Sequence, residues 1–277
     1  MTDYWSIFNS LGKITIFLTV WAVIWVPIAL PLIKLIKWPN TAPNENTSKK
    51  LTLIFSLYLL IPFLILGLTK IEGITLEQIG IIFQVRLFKS ILFGYALSIF
   101  TLFLIYFWEW GLNWITWKSI INQPQRPRLL TTLPLLGFVS IFIASIEELV
   151  FRGIFVNFLK EDFSLWLTAI ISSLIFALLH LVWEQKNTIP QLPGLFILGL
   201  VLFYARIVDD NLLGLAIGLH GGWVLCLAAI DSFNLIDYNS KLPSWIIGNK
   251  NQPLGSIAGL LLVLFALLLI YLNHIII

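Results

Sequence analysis

Three ionisable side chains interrupt a long apolar stretch, FIASIEELVFRGIF, which occupies residues 142–155. Ionisable groups are costly inside a membrane, and they usually face a bundle interior or a wet cavity and mark a functional site. Glu148 and Arg152 are four residues apart, so they would share one helix face in the order that favours an ion pair. Glu147 has no such partner. It must therefore be protonated, solvated, bound to a cation or paired with a group on another helix.

Two histidines in apolar stretches are the candidate partners of Glu147. His180 ends the segment FALLH, and His220 lies in IGLHGGWV. Polar groups in lipid-buried helices tend to contact one another, so we expect one shared site. In ideal helices Glu147, His180 and His220 would lie roughly 20, 27 and 14 Å from one membrane face, so tilts or kinks would have to bring them together. The third histidine, His274, is expected at the interface.

A carboxylate and two imidazoles in a protected cavity suit two hydrolytic chemistries. In one, Glu147, His180 and His220 ligate a divalent metal ion and activate its water. In the other, no metal takes part: Glu147 is the general base that acts on water, and the histidines position that water or stabilise the oxyanion. Both chemistries hydrolyse an amide, and the residues leave both open.

The elements that must position these residues are membrane-spanning helices. The 277-residue chain is 59% hydrophobic and 11% charged, with a mean hydropathy of +0.94, whereas soluble domains carry about 25% charged residues. A spanning helix needs about 20 apolar residues. Eight segments qualify, at about 14–36, 51–69, 89–108, 132–159, 163–183, 192–208, 211–230 and 254–273. We predict an all-α polytopic membrane protein with about eight transmembrane helices in one bundle.

Three regions follow one another along the predicted bundle. Residues 1–130 hold N-terminal transmembrane helices and interfacial segments, 131–231 hold the core helices with the ionisable residues, and 232–277 hold a loop and the C-terminal transmembrane helix. The amphipathic segment 70–89 and the tryptophan-rich segment 109–128 are expected at the interface. The net charge of +3 is thinly spread, and without a basic stripe no nucleic-acid partner is expected.

Two features near the histidines have structural interpretations. The segment RIVDD, at 206–210, predicts a solvated turn with a local ion pair. The glycines at 214, 218, 221 and 222 are typical of helices that pack closely. Neither feature predicts a phosphate site.

The three motifs together resemble a known family. EELVFR (147–152), FALLH (176–180) and HGGWV (220–224) are similar to the EExxxR, FxxxH and HxxxN elements of the CPBP family, the CAAX-protease and bacteriocin-processing intramembrane proteases also called Abi proteins. The resemblance covers about residues 130–230. It implies an eight-helix bundle with a CPBP-like catalytic core over 131–231 and a site in a cavity open to one side.

Site roles also follow from this resemblance. It implies that Glu147 activates water, that Glu148 and Arg152 form the supporting pair, that His180 holds the water or a metal, and that His220 serves the oxyanion or ligates a metal. The implied cofactor is either a divalent metal such as zinc or none.

The implied activity is that of an intramembrane endopeptidase, a hydrolase that cleaves a membrane-associated or prenylated peptide. The implied partners are membrane lipid and a peptide or membrane-anchored protein substrate. The implied location is that of a multi-pass integral protein of the cell (inner) membrane.

One position departs from the family pattern. Val224 stands where the third element has Asn, and valine cannot donate a hydrogen bond. Loss of one oxyanion donor lowers a rate by roughly 10²–10³. The indole of Trp223 is one residue away and would project on a different face. A second hypothesis is therefore a weakly active or inactive member that serves as a membrane scaffold or immunity factor, and a third is a transporter.

Overall fold

The chain folds almost entirely into helices. The computed structural model describes residues 9–38, 43–119, 129–183, 185–248 and 252–276. Within these ranges the α-helices are α1 Ser10–Leu35, α2 Pro43–Tyr58, α3 Ile61–Ile71, α4 Val85–Gly111, α5 Leu129–Glu148, α6 Val156–Asp162, α7 Leu165–Leu179, α8 Gln185–Thr188, α9 Leu192–Val208, α10 Gly214–Ser232, α11 Ser244–Ile247 and α12 Ile257–Ile276.

Eight stretches of the described residues are long and apolar enough to cross a membrane. They are Ser10–Leu35, Lys49–Ile71, Val85–Gly111, Thr131–Asp162, Leu165–Val182, Gln185–Val208, Gly214–Ser232 and Ile257–Ile275. Each overlaps one predicted segment. The predicted all-α polytopic bundle is therefore confirmed, whereas the division at residues 130 and 231 stays a prediction.

Helix α10, which carries His220, is packed closely against α4. A β-carbon on Gly218 would meet the Ile91 carbonyl oxygen and, at 2.8 Å, the Tyr95 nitrogen. From the other side, a β-carbon on Gly94 would lie 2.9 Å from the Leu219 nitrogen. The two backbones can approach only because these positions lack side chains. The glycines thus fix the height and rotation of His220.

Two helices are interrupted within their spans. A π-helix, Leu149–Phe155, joins α5 to α6 inside the span that holds the glutamates. A turn separates α2 from α3, and Pro62 stands in the first turn of α3. Proline has no N–H for the carbonyl four residues earlier, which is that of Tyr58, so the helix stops there.

The connection before α4 is not an amphipathic helix. Residues 72–84 form turns, Ile79 is buried, and the Gly80 carbonyl accepts a hydrogen bond of 2.9 Å from the Leu213 N–H. Part of the segment expected at the interface therefore packs on the start of α10.

The tryptophan-rich segment contributes a short strand. β1 (Ile115–Trp117) pairs antiparallel with β2 (Ile236–Tyr238), and Thr116 lies opposite Asp237. The remainder of this predicted segment, residues 120–128, lies outside the described residues.

Gly218→Ala should destabilise the bundle, because the new methyl group would meet α4 backbone atoms that have little room to move. Overpacking of this kind costs about 1–3 kcal/mol. The thermal unfolding midpoint of the detergent-solubilised protein would report it. The control is Gly67→Ala, where a β-carbon has no neighbour within 4 Å and helix propensity favours alanine. Equal midpoints for the two variants would contradict close packing at Gly218.

Candidate active site

The buried ion pair predicted between Glu148 and Arg152 is present. Arg152 Nη1 lies 3.1 Å from Glu148 Oε1, and neither side chain is exposed to solvent. Arg152 Nη2 donates to the Gly199 carbonyl of α9 at 3.1 Å, and the guanidinium carbon lies 4.3 Å from the centre of the Phe176 ring. Buried charges need such additional partners, because desolvation can exceed the attraction of the pair itself.

Side chains of α7 and α9 hold the π-helix around Arg152. Ser172 Oγ donates to the Phe151 carbonyl at 2.8 Å. The buried Arg206 donates to the Arg152 carbonyl and, at 3.2 Å, to the Gln78 carbonyl. Bonds from outside the helix satisfy carbonyl groups that irregular helical geometry presents to neighbouring helices. Arg206 is thus part of the support for the site.

At the end of α9 and in the turn after it, residues 206–210, the charged side chains bind partners outside the segment instead of pairing with one another. Asp210 pairs with the exposed Arg86. The buried Asp209 accepts hydrogen bonds from Ser90 Oγ at 2.7 Å and the Leu215 N–H at 3.0 Å. Burial raises the pKa of Asp209, and these two hydrogen bonds oppose the shift. The predicted local ion pair is therefore wrong: Asp209 instead joins the start of α10 to α4.

His220 lies against both glutamates. Its Nδ1 is 2.8 Å from Glu148 Oε1, and its Nε2 is 3.7 Å from Glu147 Oε2. Because an ionised carboxylate only accepts hydrogen bonds, Nδ1 carries a hydrogen. The pairing predicted between Glu147 and a histidine on another helix is present for His220.

The second partner of Glu147 is a tyrosine that the sequence did not single out. Tyr58, the last residue of α2, donates from Oη to Glu147 Oε1 at 2.5 Å, and both residues are buried. Glu147 Oε2 makes no hydrogen bond to any described residue. One carboxylate oxygen is thus held by Tyr58, and the other is buried beside His220 with its lone pairs unused.

His180 reaches the site from the end of α7. Its Nδ1 lies 2.8 Å from the Phe176 carbonyl, which can only accept, so neutral His180 keeps the lone pair on Nε2. The Phe176 ring packs edge-to-face against both imidazoles, at 4.6 Å from His180 and 6.1 Å from His220. The ring of Phe176 therefore contacts both histidines.

A cavity of about 510 Å³ brings Glu147 and His180 together. We call it the Glu147 cavity. Its volume lies in the range typical of small-ligand sites. Helices α1 and α2 form one wall, and the end of α5, the π-helix and the end of α7 form the other. Its lining residues are Leu18, Thr19, Trp21, Ala22, Val23, Trp25, Leu57, Tyr58, Ile146, Glu147, Val150, Phe151, Leu179, His180, Val182 and Trp183.

Comparison with known proteins matches the part of the chain that carries these residues. Residues 129–226 match the family model described as type II CAAX prenyl endopeptidase Rce1-like. This segment is similar to the CAAX-protease group of the CPBP intramembrane proteases. The match confirms the predicted family and supports an intramembrane CAAX-type protease. No curated protein and no solved structure matches the chain.

The CPBP segment includes Glu147, His180 and His220, but the cavity does not lie within it alone. Tyr58 and the wall formed by α1 and α2 precede residue 129. The part of the chain outside the family match therefore contributes directly to the surroundings of Glu147.

A metal ion was one of the two predicted means of activating water. Among the described residues, no three His, Cys, Asp or Glu side chains are arranged to hold one. Zinc needs three or four donors that converge at about 2 Å. Metal ligation by Glu147, His180 and His220 stays a prediction, and no reaction step is assigned to a metal.

Trp223 does not supply the hydrogen-bond donor that the neighbouring Val224 lacks. Trp223 is buried, and its Nε1 donates to Thr101 Oγ1 of α4 at 3.3 Å. The indole thus has a partner away from Glu147, as its helix position predicts. Val224 itself has no side-chain donor to offer at this position.

Arg152→Gln should destabilise the protein strongly, because Glu147 and Glu148 would remain buried without the guanidinium. Removing one partner of a buried pair costs about 3–5 kcal/mol. The control is Arg86→Gln, which breaks a pair whose side chains are 54% and 74% exposed and should change little. Thermal unfolding in detergent compares them. A midpoint for Arg152→Gln equal to that of the control would show that the buried pair is dispensable.

Proposed function

We propose that the protein is an intramembrane endopeptidase in which Glu147 activates water inside the Glu147 cavity. The observation that carries this proposal is the state of the carboxylate. Glu147 lines the cavity, and Tyr58 holds its Oε1 at 2.5 Å. Its Oε2 is buried 3.7 Å from His220 Nε2 and makes no hydrogen bond to any described residue. A general base needs this combination of a fixed group and a free lone pair.

The proposed mechanism uses an ionised Glu147 beside a His220 that carries hydrogen on both ring nitrogens. Glu147, Glu148 and Arg152 together carry one excess negative charge when all are ionised. A proton on His220 would balance that charge, which a low-dielectric interior disfavours. On His220 that proton leaves Glu147 as a carboxylate. His220 then donates from Nδ1 to Glu148 and presents a second N–H from Nε2, 3.7 Å from Glu147 Oε2.

The reaction then proceeds in two steps, the addition of water to the carbonyl group and the loss of the amine. Glu147 takes a proton from water as the water oxygen bonds to the carbonyl carbon of the substrate, and the carbonyl π electrons move to the oxygen. The Nε2–H of His220 faces the developing negative charge. Glu147 then returns its proton to the amide nitrogen. A lone pair of the oxyanion re-forms the carbonyl as the C–N bond breaks, and the electron pair of that bond leaves with the amine. The products are a carboxylic acid and an amine.

His180 has a different role from His220 in this proposal. Because its Nδ1–H is bound to the Phe176 carbonyl, neutral His180 offers Nε2 only as an acceptor. An acceptor beside Glu147 holds the second hydrogen of the attacking water and aims its oxygen.

The lining of the cavity favours a substrate that is anchored in the membrane. Three tryptophans and several aliphatic side chains line it, and none of its described lining residues is Lys or Arg. Such walls favour an apolar or lipid-modified peptide over a charged one. A prenylated peptide and a membrane-anchored protein both meet this description, and the cell (inner) membrane is the location we propose.

Glu147→Gln should abolish cleavage, because the amide keeps the shape of the side chain and cannot take the proton. Loss of a general base lowers kcat by about 10²–10⁴. The measurement is hydrolysis of a fluorogenic prenylated peptide, and of a transmembrane-anchored peptide, by the protein in liposomes. The control is Glu77→Gln, at an exposed position before α4. Cleavage of either peptide by Glu147→Gln at the wild-type rate would refute the proposal.

His180→Ala and His220→Ala should both lower kcat, whereas the control His274→Ala, at an exposed position of α12, should not. Chelators provide a second arm in the same assay. The glutamate mechanism predicts hydrolysis that survives dialysis against a zinc chelator. Loss of activity on dialysis, with recovery on addition of zinc, would instead support metal ligation by Glu147, His180 and His220.

A further inference from the structure

The proposed reaction needs hydrogen-bond donors for the substrate oxyanion, and few donors remain free in the Glu147 cavity. Val224 has none, and the Trp223 indole donates to Thr101. In the proposed mechanism His220 supplies one donor through Nε2, which lies beside Glu147. A second donor is sought among the described side chains that line the cavity, because oxyanion sites commonly combine several donors.

Most donors on the α1 wall are already bound to acceptors within the helices. Thr19 donates to the Thr15 carbonyl at 2.8 Å, and Trp21 donates to the Leu57 carbonyl at 2.9 Å. The Trp25 indole donates to Ser56 Oγ at 3.0 Å. These bonds fix the wall and leave no hydrogen for a substrate.

Among the described residues that line the cavity, two further donors remain, Tyr58 and Trp183. Trp183 packs edge-to-face against Trp25, with 6.0 Å between ring centres. Tyr58 instead contacts Glu147 itself, through a hydroxyl 2.5 Å from Oε1. A donor next to the base is also next to the carbon that the activated water attacks.

We propose that Tyr58 is a catalytic residue that donates its hydroxyl hydrogen to the substrate oxyanion. This inference rests on the proposed function. In the resting site the carboxylate of Glu147 is the acceptor. When Glu147 takes the proton from water, its charge disappears and the carbonyl oxygen of the substrate gains one. Hydrogen bonds to ionised groups are about twice as strong as neutral ones, so the preferred acceptor of the Tyr58 hydroxyl changes from Glu147 to the oxyanion.

The surroundings of Tyr58 permit this change of acceptor. Its ring is held by burial and by Trp21, with 6.1 Å between ring centres, so only the hydroxyl hydrogen needs to rotate. The residue ends α2 at the break before Pro62, and its hydroxyl therefore enters the cavity from a helix end. A preorganised donor of this kind needs little reorganisation during the reaction.

The test compares Tyr58→Phe with the wild-type protein over a range of pH, using the peptide that the wild type cleaves. We expect the plateau value of kcat to fall about 10²–10³-fold with little change in KM, because the hydroxyl acts on the transition state. A hydroxyl that only stabilises the Glu147 carboxylate would give another result: the acidic limb of the profile would move to higher pH while the plateau stays at the wild-type value. That result would overturn the proposal.

Two variants control for the loss of a buried hydroxyl and for the other free donor. Tyr106→Phe removes a buried hydroxyl that lies 3.4 Å from Tyr238 Oη, outside the Glu147 cavity, and should leave kcat unchanged. Trp183→Phe removes the hydrogen of the other donor in the cavity, and its plateau is compared with that of Tyr58→Phe. If Trp183→Phe lowers the plateau as predicted for Tyr58→Phe and Tyr58→Phe does not, Trp183 is the donor and the assignment to Tyr58 is wrong.

If Tyr58→Phe fails to fold, 3-fluorotyrosine at position 58 keeps the hydroxyl and nearly the same shape. A more acidic phenol is a stronger donor, so we expect kcat to change with its acidity, whereas an unchanged kcat would overturn the proposal. Glu147→Gln separates failure of the proposed function from failure of the role proposed for Tyr58. Activity in that variant refutes the proposed function, whereas inactive Glu147→Gln together with fully active Tyr58→Phe refutes only the role of Tyr58.

Discussion

The rest of the site depends on a buried ion pair, which is stable only because groups from several helices contact it. Glu148 and Arg152 have no solvent exposure, and their desolvation would be prohibitive without further partners. Those partners come from other helices: the Gly199 carbonyl of α9, the Phe176 ring of α7 and the imidazole of His220 on α10. One charge pair thus fixes the relative positions of the three helices that, together with α5, form the CPBP segment. Arg206 extends the same constraint to the turn before α4.

The adjacent Glu147 and Glu148 have different surroundings in this arrangement. Glu148 is enclosed by Arg152 and His220, so its charge is neutralised and its chemistry is suppressed. Glu147 contacts a different edge of the same imidazole and, through Oε1, the hydroxyl of Tyr58. His220 therefore joins the two glutamates, one through each ring nitrogen. Glu147 lines the cavity, whereas neither Glu148 nor Arg152 does.

Features that depend on composition, or on the spacing of residues along one helix, could be predicted from the sequence. Eight apolar segments, the Glu148–Arg152 pair and the approach of His220 to Glu147 all followed from these. Tyr58 did not, because one tyrosine in an apolar helix among seven in the chain has no local signal that pairs it with a residue 89 positions away. The prediction for Arg206 failed for a related reason: its acceptors are backbone carbonyls, which any residue provides. The π-helix was missed because side-chain pattern does not report a change of backbone hydrogen bonding.

The break between α2 and α3 has a consequence for how this membrane bundle can change during evolution. The part of the chain that shapes the cavity wall lies in the first 71 residues, and the part that carries the glutamates and histidines lies after residue 128. Such a division would let the wall diversify freely while the chemistry stays constant. Tyr58 removes that freedom at one point, since it belongs to the wall and touches the base. Any exchange of the wall has to bring a hydroxyl back to the same helix end, and Pro62 is the residue that creates this end.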